Sequence, residues 1–138
     1  MRETEQLTKE KAQLLRSIAD TKRYTVVRLE LRSKKEDSLR STALNHVHLD
    51  EPETSMEEVK ALSSQIAALL DKGFIHADYE LFATLASDYE VYQKSLVYRL
   101  LCELVEAGKK RPGFLFDTPY IKRGRLILTP KGKKAVQA

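Results

Sequence analysis

Apolar and polar positions along this chain follow two periods, one near 3.6 residues and one of 2. Leu14, Leu15 and Ile18 recur at helical spacing, Ala12 and Ala19 favour the helix, and charges take the other side. This pattern predicts a helix over Leu7–Asp20. Tyr24–Leu31 is rich in β-branched residues, and Val27, Leu29 and Leu31 alternate with Arg28 and Glu30, as in a strand. Ser33–Thr54 is polar, contains Pro52 and has few apolar positions, which predicts a long loop with at most a helical turn around Ser38–Leu44.

From Ser55 the pattern sharpens. Thr54 or Ser55 can cap a helix whose first turn holds Glu57 and Glu58, where the helix dipole favours acids. Its stripe is Val59, Leu62, Ile66, Leu69 and Leu70, and Gly73 ends it. Phe74-Ile75-His76 reads as a short extended segment. Asp78 then caps a second predicted helix with Leu81, Phe82, Leu85 and Ala86. A third helix, residues 93–107, carries Val97, Leu100, Leu101, Leu104 and Val105 and stops at Gly108. Phe114–Phe116 and Arg125–Leu128 read as strands joined by a loop with Pro119 and a basic tip, Lys122-Arg123-Gly124. Thr129 and Pro130 open a short last helix.

Composition narrows the class. The 138 residues are 42% apolar and 32% charged, enough for a core and unlike a disordered chain. No stretch approaches the roughly 20 apolar residues of a membrane span, and the polar start lacks the h-region of a secretory signal. Cys102 is the only cysteine, so no intrachain disulfide or cysteine-cluster zinc site forms, and a cytoplasmic location is expected. Charge is divided: residues 91–138 hold eleven Lys or Arg against three acids, a balance of +8, and the rest carries −4. Such asymmetry suits a surface turned towards a polyanion, although Lys and Arg can equally serve solubility.

The stretch Ser95–Gly108 resembles the recognition helix of winged-helix regulators of the MarR and PadR kind. Leu128-Thr-Pro-Lys-Gly132 is similar to the segment closing their wing. Gly108 is followed here by Lys109-Lys110-Arg111-Pro112 rather than an apolar pair. The tail is also too short for the dimerisation helices of MarR proteins. The resemblance, spanning about 80 residues from Ser55, implies a mainly α fold with a small β wing (α+β), a winged helix-turn-helix at 55–138 behind an N-terminal extension, 1–54. It also implies a small regulator that binds double-stranded DNA. The third helix and the wing would supply the contacts: Arg99 and Gln93 to bases, Lys94, Ser95 and Tyr98 to phosphates, Lys122, Arg123 and Arg125 along the backbone or minor groove. Arg99 can instead pair with Glu103, and Tyr92 and Tyr98 can be partly buried in the domain's own packing.

The first helix, with Leu14, Leu15 and Ile18, is the expected homodimer contact. Acids at Asp78, Glu80, Asp88 and Glu90 favour an alternative, a protein-interaction module in a larger complex. No P-loop, Gly-x-Gly-x-x-Gly or Gly-x-Ser-x-Gly occurs, and Cys102 has no nearby His, so no enzyme and no cofactor are expected. His46 and His48 would share a face of an extended segment with Asp50 nearby. Spaced histidines are nonetheless common in loops, so no metal site is assigned, and His76 reads as structural.

Overall fold

The computed structural model describes residues 7–81 and 83–137, and the molecule is of the α+β class. Helix α1 (Lys9–Asp20) is capped by Thr8, whose hydroxyl accepts from Lys11 N–H at 3.1 Å. Strand β1 (Tyr24–Arg32) follows, then β2 (Arg40–Val47). Helix α2 (Met56–Asp71) is capped by Ser55, and Gly73 ends that turn at φ 80°, a left-handed conformation glycine adopts without steric cost. Strand β3 (Ile75–Asp78) leads to a 3-10 turn (Ala86–Tyr89), the single-turn α3 (Glu90–Gln93) and α4 (Leu96–Gly108). Strand β4 (Thr118–Leu128) and helix α5 (Pro130–Gln137) complete the chain. No described helix is long and apolar enough to cross a membrane.

All four strands form one antiparallel sheet in the order β2-β1-β4-β3. Strand β1 pairs with β4 over nine residues, from Tyr24↔Leu126 to Arg32↔Thr118. Strand β1, from the segment before residue 55, therefore lies inside the sheet, and both apolar clusters draw residues from either side of the expected boundary at 54/55. One apolar cluster gathers Tyr24, Val26 and Leu126 with Leu14, Leu15 and Ile18 of α1 and Ile66 and Leu69 of α2. The other joins Val27, Leu29 and Val47 to Val59, Tyr89, Tyr92, Val97 and Leu101. Alternate residues of a strand point to opposite faces, so β1 feeds both clusters and is buried on both sides in its first half.

Several sequence expectations are corrected. The loop expected over Ser33–Thr54 contains β2, an edge strand whose first residues are exposed and so show no apolar alternation. The second helix expected from Asp78 does not form. Asp78 ends β3 and its carboxylate accepts from Glu80 N–H at 2.9 Å, turning the chain, and only Ala86 of the predicted apolar set enters a helical turn. Phe82 of that prediction lies outside the described residues.

The wing hairpin is also absent. Phe114–Phe116 is not a strand, and Lys122-Arg123-Gly124 sits inside β4, whose neighbour is β1 from the far end of the chain. Helix α4 buries Val97, Leu101 and Val105, whereas Leu100 and Leu104, expected inside, are 39% and 51% exposed. Gly108 is the last helical residue rather than a stop, and the Phe114 ring packs where its Cβ would stand. Leu14, Leu15 and Ile18 are core residues of the chain itself, so α1 does not offer them to a second copy.

Candidate nucleic-acid interface

The eight residues singled out for DNA fall into two groups. At the start of α4, Gln93 and Lys94 precede the helix and are exposed, and Arg99 stands one turn in with its side chain 57% exposed. Ser95 is the N-cap. Its hydroxyl donates to Tyr92 O at 2.6 Å and accepts from Tyr98 N–H at 3.1 Å, and the residue is 2% exposed. That hydroxyl holds the helix end together and is not available to a phosphate, which corrects the expected contact. Tyr98 is half-buried, and burial, with Cys102 beside it, raises its phenol above the ordinary pKa.

The basic residues expected on the wing are spread over β4. Arg123 is pinned from two sides: its guanidinium donates to Thr84 Oγ1 at 2.8 Å and lies 5.2 Å from the Tyr89 ring centroid. Lys122 pairs across the sheet with Arg28 and, one residue away, points to the opposite face. Arg125 pairs with Thr25 and Asp78 across the two neighbouring strands, and its Nε is buried without a hydrogen-bond partner.

Gln93, Tyr98 and Arg123 do converge. With Tyr89, Tyr120 and Ile121 they line a concavity of about 380 Å³ where α3 and α4 meet β4. Tyr89 forms its floor: the hydroxyl donates to Gly124 O at 2.8 Å, and burial raises its pKa although Arg125 and Arg123 oppose this. Lys94 and Arg99 lie outside the concavity. Arg99 faces Glu53 at 3.8 Å, both side chains being largely exposed, and not Glu103 as its spacing allowed. Further along the outer side of α4, the exposed Glu103 and Glu106 separate the basic helix start from the exposed Lys109, Lys110 and Arg111 at its far end. Lys109 pairs with Glu106 at 3.0 Å.

Sequence reasoning missed Tyr120, whose ring carries the Arg32 guanidinium at 3.4 Å. Beneath it, Glu30 is 5% exposed and is held by Arg32 at 2.7 Å and Arg28 at 3.8 Å. The alternation of charged with apolar residues in β1 was a usable signal, but its meaning required the β4 partner. The two loop histidines part company. His46, at φ 51°, meets the Tyr79 hydroxyl at 2.9 Å, and burial followed by Arg28 lowers its pKa. His48 stacks on Tyr24 and sets Nδ1 2.7 Å from Thr25 O and Nε2 3.1 Å from Asp50. Among the described residues no cluster of three metal-ligating side chains occurs. No family model, curated protein or solved structure matches this chain.

Proposed function

We propose that this protein binds duplex DNA, leading with the N-terminal end of α4. The observation that carries the reading is the exposure of Gln93, Lys94 and Arg99 together at that end, in the strongly basic part of the chain. A helix start adds its own partial positive charge. The Arg99–Glu53 contact is long and solvated, worth at most about 1 kcal/mol, and exchanges readily for a guanine edge or a phosphate. In this reading Arg99 and Gln93 read bases, Lys94 and the Tyr98 hydroxyl meet phosphates, and Ser95 only caps the helix. Lys122 and Arg125 drop out of the contact set. The order α2, β3, α3, α4, β4 supports a winged-helix variant in which β1 replaces the first wing strand.

The test is fluorescence anisotropy with random duplex DNA at two salt concentrations, comparing the native chain with Arg99→Ala and Lys94→Ala. Native binding that weakens steeply with salt, and less so in Lys94→Ala, supports the reading. Equal affinity of all three proteins sinks it.

A second reading is favoured by a different observation. Leu100 and Leu104 of α4 are 39% and 51% exposed, and Leu115 in the segment after it is 61% exposed, apolar side chains suited to a protein partner or a second copy. Self-association at tens of micromolar that Leu104→Asp abolishes, without DNA binding, would select that reading.

A further inference from the structure

Strand β4 is eleven residues long, but β3 covers its outer side only from Arg125 to Leu128. Residues 118–124 have β1 on one side and no strand on the other among the described residues. The hydrogen-bonding phase of this free edge follows from the pairing with β3. Thr129 N–H donates to Phe74 O at 3.1 Å, in register with Ile75↔Leu128. Backbone groups of a strand alternate sides, so counting back by twos turns the N–H and C=O of Arg123 and Ile121 outward. Pro119 adds a carbonyl alone, since proline has no N–H.

Two concavities flank this edge. One, about 550 Å³, is lined by Tyr79, Glu80, Thr84, Tyr120 and Lys122. The other is the 380 Å³ space against Tyr89, Gln93 and Tyr98, and both share Tyr120, Ile121 and Arg123.

We propose that this edge receives an extended peptide with acidic side chains, which adds to the sheet as a fifth strand beside residues 119–123. Backbone pairing supplies the register, and alternate side chains of the peptide enter the two concavities. Lys122 and Arg123 present positive charge on opposite faces, so acids suit both sets of side chains, with Glu80 the one carboxylate lining either space. The same charges oppose a second copy, because pairing β4 with its twin would bring like charges together. The outward row of N–H and C=O groups matches a peptide backbone and has no counterpart in duplex DNA, so this inference does not rest on the DNA reading.

The test uses the full chain and a fluorescein-labelled heptapeptide of alternating glutamate and valine, with two controls. One control carries lysine for glutamate, and the other is N-methylated on alternate amides. The glutamate peptide is expected to bind at least about tenfold tighter than either control, and Lys122→Glu to weaken it by about tenfold. Amide hydrogen exchange at Ile121 and Arg123, fast in the free protein, slows on binding. Full affinity of the N-methylated peptide, preference for the lysine peptide, or no binding up to millimolar concentration would overturn the proposal. Slow exchange at both amides in the free protein would do the same.

Discussion

Replacing Leu101 and Leu104 by alanine, one at a time, tests which side of α4 faces the core. Both are leucines on one helix three residues apart, so helix propensity cancels between the variants. Leu101 is 5% exposed and belongs to the cluster of Val27, Leu29, Tyr89, Tyr92 and Val97. Truncation there removes fully buried methyl and methylene groups and leaves a cavity among β1, α3 and α4, a loss of about 2–5 kcal/mol. Leu104 is 51% exposed, so about half of its transfer free energy was never gained and no closed cavity forms. About 1 kcal/mol or less is expected. In urea, with m of roughly 1–3 kcal/mol/M, Leu101→Ala lowers the midpoint by about 1–2 M and Leu104→Ala by less than half of that. The assay is equilibrium urea unfolding followed by circular dichroism, with m required to stay constant. Equal shifts, or a larger one for Leu104→Ala, would refute the assignment of α4's buried side.

Three further outcomes follow from single contacts. Tyr92→Phe removes a buried hydroxyl that lies 2.7 Å from Thr25 Oγ1 and leaves the Thr25 hydroxyl unpartnered, so it should cost about 1–3 kcal/mol in the same urea assay. Gly132→Ala would put a methyl against the Phe74 carbonyl oxygen, so α5 must shift, and thermal unfolding should fall by several degrees. His46 binds its proton more weakly in the folded than in the unfolded chain, because it is partly buried and lies near Arg28. Its contribution is therefore fully present above the ordinary histidine pKa and is lost as pH falls through that value towards the lower folded one. Thermal midpoints measured from pH 8 to 5 should decline less in His46→Asn, a residue that tolerates the positive φ, than in the native chain.

Local pattern found the elements that carry their own signals. Ser55 was one of two readable caps for α2, and Tyr24–Leu31 was readable as a strand from its β-branched content, whereas Thr8 and Ser95, which cap α1 and α4, fell inside the helices expected over Leu7–Asp20 and 93–107. What local pattern could not register is the pairing of Tyr24–Arg32 with Thr118–Leu128, made between opposite ends of the chain. Lacking that partner, residues 114–128 were read as a self-contained hairpin, and Lys122-Arg123-Gly124 as its tip. Helix α4 holds apolar residues at 97, 100, 101, 104 and 105, which supports two overlapping stripes. Packing with Val27 and Leu29 of β1 and with Tyr92 selects 97 and 101, and Val105 is buried with them. The polar edge strand β2 has too few buried positions to declare itself. Of the candidate site, Gln93, Lys94 and Arg99 were identifiable as the open end of a helix. The convergence of Gln93 and Tyr98 with Arg123 was a product of the fold, and Tyr120 entered only with β4 in its observed place.

The most direct measurement is the anisotropy titration of the native chain with random duplex DNA at 50 and 200 mM salt. Binding is expected at the lower concentration and weakens by about tenfold or more at the higher one, as a few released counterions require. Arg99→Ala should bind more weakly at both. Absence of binding at 50 mM, or binding indifferent to salt, would contradict the assignment of α4's basic end to DNA.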